Sequence, residues 1–113
     1  MIYTHPEVAS VGLTEEEAQA KGIDYEVHKL SMRYAGRFVA ENEGEDGICK
    51  ILVGKEHRNI LGVHMLGNSS SEAIWGAALM IEQELRVKDV KEIIFPHPTV
   101  SEIIRETIWE FKD

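Results

Sequence analysis

Ile48-Cys49-Lys50-Ile51-Leu52-Val53, then Gly54-Lys55-Glu56-His57-Arg58-Asn59, then Ile60-Leu61-Gly62-Val63-His64-Met65-Leu66 is the stretch that decides the fold. Two apolar runs rich in Ile and Val flank six mostly polar residues, which reads as strand, hairpin connection, strand. A connection this short leaves no room for the crossover that parallel pairing needs, so the two strands are expected to be antiparallel.

Upstream, Glu7 to Leu13 (EVASVGL) is a short β-branched run and reads as a strand. Thr14-Glu15-Glu16-Glu17 has capping-box spacing and opens a helix to about Ala20. Gly22 is its natural stop, because glycine takes the left-handed conformation without steric cost. Asp24 to Met32, with Tyr25, Val27 and Leu30 apolar, reads as a further strand. Arg33 to Phe38 fits neither pattern, and Glu41 to Gly47 (ENEGEDG) is an acidic, Gly-rich loop.

Downstream, Gly67-Asn68-Ser69 breaks the last strand and the pattern becomes helical. From Ser70 to Leu85, apolar residues fall at Ile74, Ala77, Ala78, Ile81 and Leu85, a spacing of three and four. Lys88 to Ile94 reads as a short helix, ended by Phe95-Pro96-His97-Pro98. Val100, Ile103, Ile104, Ile108 and Phe111 mark a final helix. Strands first and helices last predict an α+β fold, a two-layer sandwich of an antiparallel sheet with helices packed on it.

Composition agrees with one domain over residues 1–113: 43% hydrophobic and 28% charged residues are ordinary globular usage. No apolar run approaches the roughly 18 residues of a membrane span, and no secretory leader is recognisable, so no membrane association is expected. Twelve Lys+Arg against 20 Asp+Glu give a net charge of −8, which argues against nucleic acid as a partner. Cys49 is the single cysteine, so neither an internal disulfide nor a Cys-based zinc site can form, and a reducing cytoplasm is the expected compartment.

The densest candidate for chemistry is Phe95-Pro96-His97-Pro98-Thr99-Val100-Ser101-Glu102. The prolines fix the backbone on both sides of His97, and a cis X-Pro bond there would sharpen the turn. Glu102, five residues on, stands in the first helical turn, where a carboxylate accepting from one ring nitrogen would raise the imidazole pKa and leave the other nitrogen for proton exchange. The positive helix end would act the other way on a charged imidazole. Thr99 to Glu102 is also a capping box, so Glu102 has a purely structural reading as well.

Other sites are weaker. His5, His64 and His97 match no metal-ligand spacing, so no metal is expected. Ser69, Ser70 and Ser71 lack a nucleophile elbow, and Gly62, Gly67 and Gly76 lack phosphate-loop spacing. Cys49 reads as a small core residue. Trp75 and Trp109, both in helices, suit the core or a subunit contact.

Three stretches together are more specific: Tyr3-Thr4-His5-Pro6-Glu7-Val8-Ala9-Ser10-Val11-Gly12-Leu13, Ile60-Leu61-Gly62-Val63-His64, and His97-Pro98-Thr99-Val100-Ser101-Glu102. In this order and spacing the chain resembles the C-terminal dimerisation (interface) domain of the flavin-dependent pyridine nucleotide–disulfide oxidoreductases. Its look is nearest to the members that reoxidise the dihydrolipoyl groups of 2-oxo acid dehydrogenase complexes. Glutathione and trypanothione reductases share the His-Pro-Thr and the later glutamate, but tend to carry a small polar residue at Val100 and a second acid at Ile103. Mercuric reductase uses a C-terminal cysteine pair that is absent here.

The resemblance implies a homodimer in which His97 reaches the partner subunit's redox disulfide and flavin, and takes a proton from the dithiol. Glu102 would orient that histidine, and the backbone of His97 and Pro98 would lie near the partner's FAD. The family's cysteine pair and its glycine-rich FAD and NAD motifs are missing from the sequence, and Met1 directly precedes the first motif, as if a longer chain had been cut at a domain boundary. The chain alone is therefore expected to bind no cofactor and to be inactive, with FAD and NAD belonging to the parent enzyme. A glutathione-reductase-like member and a stand-alone interaction module of the same fold are the alternatives.

Overall fold

The computed structural model describes residues 8–31, 47–67, 70–92 and 102–112, with the backbone alone at 70–73, 102 and 105. Along the chain these form β1 (Val8–Gly12), α1 (Glu15–Ala20), β2 (Tyr25–Ser31), β3 (Ile48–Gly54), β4 (Ile60–Leu66), α2 (Ser70–Glu82), α3 (Val87–Lys91) and α4 (Glu102–Ile108). The sheet is antiparallel throughout, in the order β1-β4-β3-β2. The expected α+β architecture is thus observed, with the β3–β4 hairpin at its centre. Pairing shifts from Leu52↔Gly62 to Val53↔Ile60, which leaves Leu61 as an extra residue in β4.

Alternation along the strands divides the two faces. Cys49, Ile51 and Val53 of β3 and Val63 and Met65 of β4 are buried in one cluster with Ile74, Ala77 and Met80 of α2, Val87 and Val90 of α3, and Ile103, Ile104 and Ile108 of α4. Each such aliphatic side chain contributes about 1.5–3 kcal/mol on burial, so this face fixes the register of the sheet. Lys50 points to the opposite face, where α1 lies over one end and Glu15 pairs with it. Ala18 and Leu52 are fully buried but stand outside the main cluster.

α1 begins as its sequence dictates. Thr14 Oγ1 accepts from the Glu17 N–H at 3.1 Å, and Glu17 Oε1 accepts from the Thr14 N–H at 3.1 Å. Gly22, at φ 70°, then turns the chain into β2.

The helices of the last third are shorter than their apolar spacing suggests. α2 stops at Glu82 and leaves Leu85 outside it. Glu84 takes a left-handed φ of 53°, its N–H bonds to the Ile81 carbonyl, and the Leu85 N–H bonds back to Met80. This is a Schellman closure on a residue other than glycine, which spacing alone does not reveal. α3 runs over Val87–Lys91 and not from Lys88, with the Asp89 carboxylate accepting from the Arg86 N–H at 3.0 Å. The helix closes at Lys91, with Glu92 as its C-cap donating its N–H to the Asp89 backbone carbonyl at 3.2 Å, so the expected run to Ile94 ends early; the start of the last helix at Val100 lies outside the described residues. Phe111 follows the end of α4 yet is buried, its ring edge-on to His28 with centroids 4.5 Å apart.

Candidate functional site

His97 and Pro98 lie outside the described residues, as do His5 and the rest of the stretch 93–101. Glu102 is the first residue of α4, and its side chain is not described. What the structure describes is the frame that holds the two ends of this stretch.

The far end is α4, which packs on β2 and β3. Ile103 and Ile104, the two residues after Glu102, are fully buried, so the helix start is clamped at the sheet. Thr107, also fully buried, donates its hydroxyl proton to the Ile103 carbonyl at 2.7 Å, which satisfies the one buried polar side chain among the described residues. The near end is α3. Lys91 Nζ donates to the Phe111 carbonyl at 2.8 Å and stands 5.0 Å from the Trp109 ring centroid. Lys91 therefore ties the segment before that stretch to the segment after it.

Cys49 lies under the same helix. It is fully buried, and burial pushes its thiol up to about 12, against a smaller opposing effect of a hydrogen bond with Thr107. A thiol so held is a packing residue and not a nucleophile. His64 is occupied structurally, with Nε2 2.8 Å from the Leu13 carbonyl. His57 faces Glu56 at 3.9 Å on the β3–β4 turn, well away from His64.

Charge pairs brace the rest of the sheet. Glu15 is held below the usual carboxylate range, chiefly by its hydrogen bond with Lys50. Burial pushes Glu26 up, but His28 and Arg58 outweigh it and hold the carboxyl below its ordinary value.

The two tryptophans do not belong to the core. Trp75 on α2 is 70% exposed and Trp109 51% exposed, and Leu79, one turn beyond Trp75, is 43% exposed. The core reading therefore fails for both, and Trp109 lies just beyond α4 and not in a helix, with Lys91 over its ring. Leu79 carries no marker in the sequence, because its spacing from Trp75 matters only once the helix is oriented on the sheet.

The family model described as "Pyridine nucleotide-disulphide oxidoreductase, dimerisation domain" matches residues 1–108. Dihydrolipoyl dehydrogenase 1, mitochondrial, of Arabidopsis thaliana is 41% identical over 106 residues, covering 94% of this chain and 21% of its own length. The mitochondrial dihydrolipoyl dehydrogenase of Homo sapiens is likewise 41% identical over 106 residues, with the same coverage. The chain thus spans about a fifth of the length of the curated relatives it matches. Among solved structures, the HOCl-induced flavoprotein disulfide reductase RclA from Escherichia coli superposes with a TM-score of 0.86 at 27% identity, covering 96% of this chain and 25% of that one.

Proposed function

Because the chain belongs to the dimerisation-domain family of the pyridine nucleotide–disulphide oxidoreductases, we propose that it serves as the dimer-forming part of a flavoprotein of the dihydrolipoyl dehydrogenase type. The observation that carries this reading is the family match across residues 1–108, together with relatives of that activity at 41% identity.

FAD is implied by the family, and the described residues do not fit it or the redox step. Cys49 is the single cysteine, and its buried thiol is pushed to about 12. No glycine-rich phosphate loop accompanies it. FAD, NAD and the redox disulfide are therefore assigned to the remainder of a longer chain, and this domain alone is inactive.

In a two-fold dimer, each active site then draws on both subunits. His97 takes the proton of a dihydrolipoyl thiol, the resulting thiolate attacks the partner's disulfide, and one thiolate leaves. The second substrate thiol completes the exchange, so the substrate dithiol is oxidised and the disulfide reduced. Glu102 positions and polarises His97. FAD and NAD, held by the rest of a longer chain, would supply the onward electron transfer. The dihydrolipoyl groups of 2-oxo acid dehydrogenase complexes are the substrates of this reading, and a reducing compartment is part of it. The Arabidopsis and human relatives are named mitochondrial.

Sedimentation equilibrium of the chain over a range of concentrations tests the core of the proposal. A reversible dimer is expected, and a strict monomer throughout would overturn the dimer-forming role.

A further inference from the structure

Away from α4, the β3–β4 turn meets the connection between α2 and α3. Two backbone hydrogen bonds strap the two loops together: the Val87 N–H bonds to the Arg58 carbonyl at 2.8 Å and the Ile60 N–H to the Leu85 carbonyl at 3.0 Å, which together make an antiparallel bridge between Asn59 and Arg86. Arg58 itself takes a left-handed φ of 57°, an uncommon conformation for a residue with a side chain. Its guanidinium is anchored on the Lys112 carbonyl and on Glu26. The fold fixes this corner, and it does so with residues far apart in sequence.

A hollow of about 260 Å³ opens between the two loops, lined by Glu56, His57, Arg58, Arg86 and Lys88. In a chain of net charge −8, its wall carries three permanent cations against one carboxylate. Glu26 offsets Arg58, Glu56 lies beside His57, and the Asp89 carboxylate is engaged by the Arg86 N–H. Arg86 and Lys88 have no side-chain ion pair among the described residues. An arginine fork next to a lysine point charge suits a tetrahedral dianion better than a single carboxylate. The hollow is also smaller than the roughly 300–1,000 Å³ of ordinary ligand pockets, which fits one charged group of a small molecule.

We propose that this hollow binds the phosphoryl group of a small phosphorylated molecule, with Arg86 and Lys88 as its principal contacts. The hollow shares no residue with the His97–Glu102 pair of the proposed function.

The test is a titration of the isotope-labelled full chain with inorganic phosphate at fixed ionic strength, followed by amide chemical shifts. Saturable shifts centred on Glu56 to Arg58 and Arg86 to Lys88 are expected. The double variant Arg86→Gln with Lys88→Gln should weaken binding by about tenfold or more and leave the thermal midpoint nearly unchanged, because both side chains are exposed. Shifts that rise without saturation, or that persist in the double variant, overturn the proposal. Equal affinity for succinate overturns the phosphoryl assignment, since a carboxylate would then do as well. A phosphoserine peptide that binds about tenfold tighter than phosphate overturns the small-molecule assignment in favour of a protein partner.

Discussion

His64 Nε2 stands 2.8 Å from the Leu13 carbonyl oxygen, so an imidazole in mid-sheet donates to the chain just after β1. The Leu13 N–H bonds in turn to the Leu61 carbonyl at 2.9 Å. These two bonds hold the exit of β1 against β4 and set where α1 starts. His64→Ala leaves the Leu13 carbonyl without this partner and should cost about 1 kcal/mol. A lowering of the thermal midpoint by several degrees is expected, and an unchanged midpoint would mean that water replaces the imidazole without loss.

Gly12 and Gly62 face each other across β1 and β4 with no room for a side chain. A Cβ on Gly62 would stand 2.1 Å from the Leu13 carbonyl oxygen, and one on Gly12 would stand 2.3 Å from the Leu61 oxygen and 2.9 Å from Ile81 of α2. Gly62→Ala should therefore destabilise by about 3 kcal/mol, since backbone must move. Gly76, inside α2, has nothing within 4 Å of its Cβ position. Gly76→Ala should stabilise by about 0.5–1 kcal/mol through helix propensity. Denaturant unfolding of the two variants should move in opposite directions.

The Glu15–Lys50 pair gives a pH signature. Because the folded-state carboxyl is held below its ordinary value by Lys50, its contribution is present above the unfolded-state pKa and is lost as pH falls through the folded one. Both side chains are about a third exposed, so the pair contributes only about 0.5 kcal/mol. Lys50→Met should be less stable than the parent at neutral pH, and the difference should shrink in the acid range below that of an ordinary glutamate. A difference that grows on acidification would contradict the pairing.

Cys49 should be inert while the protein is folded. With the thiol buried and pushed up to about 12, an aromatic disulfide reagent at pH 8 should react only after denaturant is added. Rapid reaction of the native chain would mean that α4 opens readily from the sheet.

His97 and Glu102 separate a chemical role from a structural one. On the proposed function, His97→Gln in a longer flavoprotein that carries this domain should reduce dithiol oxidation by about 10²–10⁴-fold, the range of general acid–base work. Glu102→Gln should have a milder effect on turnover and should shift its pH profile. If Glu102→Gln lowers the thermal midpoint and leaves both turnover and its pH profile intact, Glu102 is a helix cap and no more.

The hairpin, the capping box at Thr14, the stop at Gly22 and the burial of Cys49 were legible because each rests on neighbours in sequence. Alternating apolar residues, an N-cap three residues before a glutamate and a glycine after a helix are local signals. The domain family was indicated by three motifs spread along the chain, Tyr3 to Leu13, Ile60 to His64 and His97 to Glu102. What local pattern could not supply was the closure of α2 at Glu84, the burial of Phe111 beyond α4 and the exposure of Trp75. An apolar residue at helical spacing is equally compatible with core and surface until the helix is docked. The tertiary structure made those choices: α2 lies so close over Gly12 that Ile81 fills the space a side chain would take, and the strapping of Arg58 to Val87 brings Arg86 beside the β3–β4 turn. These are contacts between residues far apart in sequence, set by shape and by backbone hydrogen bonds that exist only once the sheet and helices have come together.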